Sequence, residues 1–233
     1  MNPRRSPFAG VTLRLPFYLI AVLVTFSVST SAVDLNKDGL SDIWALYHAA
    51  EAQAPNADPD GDGLTNAQEA AAGTDPQSPT SIIRVSSMAL NAGGLRLTFP
   101  TLAGKRYQVQ SAASLVDPTW GNVGPAVAGT DGEITTTSSA AGVTQKFYRV
   151  LVQDVDSDGD GVNDWEELTL GYDPNNSRSS GIEGDDDLTT ITKALQAPNV
   201  ITIAASEPNA AEPGPLNTGS KPGVFQISRT GNL

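Results

Sequence analysis

One twelve-residue stretch limits what this chain can become. Asp156, Asp158, Asp160, Asp164 and Glu167 stand at positions 1, 3, 5, 9 and 12 of it, with Gly161 at position 6. Carboxylates packed this closely repel one another unless a cation lies among them. A hard divalent ion such as Ca²⁺ takes about six to eight oxygens and tolerates irregular geometry. A loop wrapped round it presents alternate side chains, turns at a glycine and closes with a two-oxygen Glu. The backbone carbonyl at position 7, here Val162, adds one more oxygen. The spacing is that of a calcium loop.

The pattern returns at Asp58, Asp60, Asp62, Asn66 and Glu69, with Gly63 at position 6 and the carbonyl of Leu64 at position 7. A partial copy runs through Asp34, Asn36, Asp38, Gly39 and Asp42, but Ala45 stands where the closing Glu belongs. Binding of Ca²⁺ is therefore expected at both complete loops and is open at the first. The complete copies also agree beyond the loop, each ending Gly-x-Asp-Pro at residues 73–76 and 171–174. The glycine ends a short helix and the proline forbids its resumption. Asp75 and Asp173 read as turn caps rather than ligands. Helices are expected over Ser41–Ala54, Ala67–Ala72 and Leu188–Leu195.

Composition removes whole classes of function. Without cysteine there are no disulfides or thiolate sites, and one histidine, His48, cannot build a multi-His zinc centre. His48 reads as a surface or packing residue of the first helix. Residues 1–32 read as a secretory leader, with Arg4, Arg5 and Arg14, an apolar run over Leu15–Val28 and small residues at Thr30, Ser31 and Ala32. That run is shorter than the roughly 20 apolar residues of a membrane span, and it contains Pro16. Removing the leader takes away three arginines and no acid, moving the net charge from −12 to −15. Nucleic acids and anionic lipid surfaces need basic clusters, so neither is an expected partner, and no membrane insertion is expected after leader removal.

Residues 81–153 change character. Leu95, Leu97 and Phe99 alternate with polar residues, as do Tyr107 and Val109, and residues 147–152 form a dense β run. Turn signals lie between them. The fold class expected is mostly β with short helices: a small antiparallel β-sandwich flanked by Ca²⁺-binding loop–helix repeats, then an incomplete β-sandwich. The units are residues 1–32 (leader), 33–80 (loop repeats), 81–153 (sandwich), 154–178 (loop repeat), 179–198 (acidic linker and short helix) and 199–233 (a further β module). Trp120 reads as a core or edge anchor. The acidic run Glu183, Asp185, Asp186 and Asp187 reads as a solvated linker whose last Asp caps the following helix.

Asp-x-Asp-x-Asp-Gly-Leu/Val-x-Asn/Asp-x-x-Glu followed by Gly-x-Asp-Pro resembles the bacterial thrombospondin type 3 repeat. An EF-hand would have a helix before each loop; a strand leads into Asp156 instead. The resemblance implies extracellular Ca²⁺-binding repeats of secreted and cell-surface proteins. Residues 205–214 and 225–231 resemble the opening of a Calx-β domain, which implies a Ca²⁺-associated sandwich of which only the first part is present, and hence a longer protein. The function expected is a secreted, Ca²⁺-stiffened adhesion or structural protein that is not an enzyme, its further partner being an extracellular protein or polysaccharide. The alternative is the non-catalytic front of a secreted polysaccharide-acting enzyme. A dockerin-like module ranks last, because the two complete loops are far apart in sequence.

Overall fold

The computed structural model describes residues 19–26, 32–91, 94–139, 145–197, 200–207 and 224–230. Its centre is two sheets packed face to face. One holds β2 (Ser87–Asn91), β3 (Gly94–Pro100) and β7 (Glu133–Ser138), in the order β2-β3-β7 and antiparallel throughout. The other is built on β4 (Lys105–Ala112) and β8 (Gln145–Asp154), paired antiparallel from Lys105↔Asp154 to Ala112↔Phe147. Short strands β5 (Gly121–Asn122) and β6 (Val127–Ala128) extend it along β4. The alternating residues meet between the sheets: Leu95, Leu97 and Phe99 from β3, Tyr107 and Val109 from β4, and Tyr148, Val150 and Val152 from β8 form one buried cluster. The expected sandwich is present.

One strand departs from the antiparallel expectation. β1 (Leu19–Phe26), within the segment read as a leader, lies parallel to β8 with Leu19↔Gln145 and Phe26↔Val152. An apolar run without caps or turn residues is compatible with an edge strand, and here it covers the outer edge of β8. The rest of the leader lies outside the described residues. Trp120 is an edge anchor, its ring under the Arg149 guanidinium at 4.5 Å.

The helices are short. α1 (Asp42–Tyr47) is capped by Ser41, whose Oγ accepts from Trp44 N. It stops well before Ala54, contrary to the sequence expectation. Ala49 turns left-handed at φ 52°, and Ala50 N donates to Ala45 O, closing the helix without a glycine. His48 is consequently the helix's C-cap; it sits against the Trp44 and Tyr47 rings, 3.7 Å from Asp75. α2 (Asn66–Ala72) and α3 (Asp164–Leu170) are twins. Each opens with a capping box, Thr65/Gln68 and Asn163/Glu166, and ends at a left-handed glycine, Gly73 or Gly171.

The loop–helix units lie on both sides of the sandwich in sequence, yet they meet in space. Leu40, Trp44, Ala45, Ala50, Ala70 and Trp165 make a second buried cluster. Trp44 Nε1 donates to Thr74 O at 2.7 Å. Sequence separation was thus a poor guide to their distance. α4 (Asp187–Gln196) folds back onto the same assembly, with Ile191 buried against Val33, Ile43 and Val162, and Leu188 and Leu195 beside it. β9 (Val200–Glu207) and β10 (Val224–Thr230) form an antiparallel hairpin. The residues between them, including residues 208–214 of the stretch that carries the Calx-β resemblance, lie outside the described residues. No helix among the described residues is long and apolar enough to cross a membrane.

Candidate metal centre

Each loop is shaped first by its own carboxylates. The position-1 aspartate takes two backbone N–H groups: Asp156 accepts from Gly159 at 2.7 Å and Gly161 at 3.1 Å, Asp58 from Gly61 at 2.8 Å and Gly63 at 3.1 Å, and Asp34 from Asp38 at 3.2 Å and Gly39 at 3.1 Å. Positions 3 and 5 each take the N–H two residues ahead, as in Asp158 from Asp160 and Asp160 from Val162. Sharp turns at positions 4 and 6 need φ near +60° to +100°. The complete loops have glycine at both. The first loop has Lys37 at position 4 with φ 60°, a strained choice.

At position 1 these bonds occupy both oxygens, one each, whereas at positions 3 and 5 of the complete loops they use only one oxygen of each side chain. The second oxygen of Asp60, Asp62, Asp158 and Asp160 is buried and has no hydrogen-bond partner. Position 12 is starker. Glu167 is 0% exposed and neither of its oxygens has a partner; Glu69 is also 0% exposed and its Oε2 has none. A buried carboxylate without donors is costly unless something cationic meets it. Burial first, then the neighbouring aspartates, push both Glu69 and Glu167 up to about 8. Burial likewise raises Asp158 and Asp160 above the usual carboxylate range.

Two groups of ligand atoms in this unit gather within 4.8 Å: Asp156, Asp158 and Asp160, and then Asp160, Glu167 and Asp187; the second loop gathers Asp58, Asp60 and Asp62. Asp187 corrects the sequence reading of the acidic run. It is 0% exposed rather than solvated, and the helix cap is Asp186, whose side chain accepts from Thr189 N. Asp187 accepts from Ser179 N and Oγ and from Ser180 N, and it stays below the usual carboxylate range because these donors outweigh its burial. No spacing rule could have found it, since it reaches the loop only because α4 folds back. The donors are all oxygens, partly orphaned and strongly anionic, and they fit a hard divalent cation.

Position 9 behaves differently. Asp164 gives both oxygens to Ser157, N–H and O–H, at 2.8 Å, and Asp42 accepts from Leu35 N at 2.6 Å. These residues close the loop and are not gathered with the other acids. Asn66 has no such donor, because position 2 there is Pro59, and its buried Oδ1 is left unpartnered. In the first loop Ala45 is a core residue, Asp38 accepts from Asn36 Nδ2 at 2.9 Å, and Asp34, Asp38 and Asp42 do not gather into one group. Val162 at position 7 is fully buried, fixing the backbone there. Asp75 and Asp173 cap turns, accepting from Gln77 N and Asn175 N.

Glu166, next to Glu167 in the helix, points elsewhere. It accepts from Val33 N at 3.1 Å, Ser41 Oγ at 2.5 Å and Asn163 N at 3.4 Å. Burial pushes it up to about 7 despite these donors.

The family model of the Bacterial TSP3 repeat matches residues 58–79 and 156–177. Both matches span one complete loop, its helix and its Asp-Pro turn. Such repeats are calcium-binding and occur in extracellular proteins. No curated protein and no solved structure matches the chain.

Proposed function

We propose that this is a secreted, non-enzymatic calcium-binding protein, an adhesion or structural component outside the cell, in which Ca²⁺ turns the repeats into rigid joints around the sandwich. The observation that carries the reading is Glu167: fully buried, with both oxygens unpartnered, and gathered with Asp160 and Asp187. Asp156, Asp158, Asp160, Glu167, Asp187 and the Val162 carbonyl would hold one ion. Asp58, Asp60, Asp62, Glu69, the Leu64 carbonyl and Asn66 would hold another. When bound, the ion supplies the positive charge the loops lack and couples metal to folding. Extracellular modules of this kind bind at about 10⁻⁴ to 10⁻³ M, which suits a structural ion rather than a signal.

The leader reading belongs to the same proposal, with residues 1–32 directing export and being removed in the course of it. Calorimetry on the exported protein tests the metal reading. Two Ca²⁺ sites, lost on chelation and filled poorly by Mg²⁺, are expected. Absence of binding heat at millimolar Ca²⁺, with equal protease resistance in chelator, would sink it.

A further inference from the structure

Glu166 is a buried carboxyl group that accepts from neutral donors only, Val33 N, Ser41 Oγ and Asn163 N, and has no cationic partner among the described residues. Its side chain is 0% exposed, and no lysine, arginine or histidine among the described residues pairs with it. The nearest candidate, Lys105, is committed to Asp154, and that pair is itself buried. What Glu166 does have is the backbone nitrogen of Val33, 3.1 Å from one oxygen and 3.3 Å from the other. In the unprocessed chain that nitrogen is an amide with one proton and no charge.

Val33 is the residue that follows the small-residue leader boundary at Ala32. We propose that leader cleavage creates the missing partner: the new α-ammonium of Val33 forms a buried ion pair with Glu166 that locks the mature amino terminus into the repeat core. The proposal rests on the leader reading given above. The chemistry balances with water alone. Hydrolysis of the Ala32–Val33 bond leaves a carboxylate on Ala32 and an ammonium on Val33. One neutral N–H donor becomes three charged ones at a position already within hydrogen-bond reach of both carboxylate oxygens.

The surroundings suit this end point. The Val33 side chain is 4% exposed and packs with Ile43, Val162 and Ile191, and its carbonyl accepts from Asp42 N at 2.7 Å. A chain terminus normally frays, but this one is held by side chain, carbonyl and nitrogen together. A cavity of about 230 Å³ borders Ala32, Ser41 and Glu166 beside this contact. The pair would join the first loop, which lacks its own closing Glu, to the third, so processing would complete the assembly that calcium then stiffens.

Four exported proteins test it: starting at Val33 or carrying Gly-Ser inserted between Ala32 and Val33, each with Glu166 or with Glu166→Gln. Mass spectrometry first establishes the terminus. The coupling predicts that Glu166→Gln lowers Tm by about 10 °C more in the Val33-start form than in the extended one. If Glu166→Gln fails to fold, amine labelling of the native Glu166 protein decides: the Val33 amine should react at least tenfold more slowly in the folded protein than in the same protein unfolded, where an α-amine outpaces lysines near neutral pH. An exported protein starting elsewhere removes the leader boundary on which the pair depends. A Val33 start with equal Tm losses, or with a freely labelled amine, overturns the pair while leaving the leader intact.

Discussion

Replacing Glu167 by Gln should stabilise the metal-free protein and abolish much of its response to calcium. The side chain is pushed up to about 8 from an ordinary 4.5, by burial and then by Asp158 and Asp160. Well below pH 4.5 it is protonated in both folded and unfolded chains and costs nothing. As pH rises, the unfolded chain gives up its proton first, so the folded chain loses stability across the window from about 4.5 to 8. At pH 7 that loss is about 3 kcal/mol, and glutamine does not incur it. Calcium reverses the balance. At 100 times its Kd an ion that binds only the folded state contributes about 2.7 kcal/mol, worth roughly 5–10 °C in a chain this size. A hundredfold weaker site would contribute only about 0.4 kcal/mol at the same concentration. The assay is thermal unfolding in chelator and in 10 mM Ca²⁺ (about 100 times a 10⁻⁴ M Kd), comparing Glu69→Gln with Glu69→Gln/Glu167→Gln so that only one complete loop responds. The double variant should melt higher in chelator and shift little with calcium. An undiminished calcium shift would refute the assignment of Glu167 as a ligand.

Asp187→Asn should shrink the calcium-induced Tm shift of the 156–167 site while changing the metal-free Tm less; equal losses with and without calcium would mark Asp187 as merely structural. In chelator, Tm should fall between pH 5 and pH 8, where Glu69 and Glu167 are ionised in the unfolded chain but still hold their protons in the folded one, and saturating calcium should flatten the profile; differential scanning calorimetry reads both. Gly171→Ala should cost about 1 kcal/mol, because only its φ of 80° resists a Cβ, whereas Gly73→Ala should cost more, since its Cβ would lie 2.7 Å from Trp165 Nε1; denaturant melts compare them. Trp165→Ala should cost about 3–5 kcal/mol by opening the cluster that joins the loop–helix units, read by urea unfolding.

The loops and the strands were written locally. A calcium loop is folded by bonds two to five residues long, such as Asp156 to Gly159 and Gly161, so its ligand spacing is visible in the chain itself. The alternation of Leu95, Leu97 and Phe99 needs only a pleat to become a buried face. Helix ends with glycine were equally legible; the end of α1 was not, because Ala49 adopts a left-handed turn that no composition signals. What lay out of reach shares one cause. Asp187 meets Glu167 only after α4 folds back, Glu166 reaches Val33 across 133 residues, and Trp165 packs against Trp44 and Ala70 across the whole sandwich. Sequence fixed which side chains could bind an ion or fill a core. Only the tertiary fold decided which of them stand together, because contacts between distant segments depend on how already-formed elements pack, and no short-range pattern encodes that.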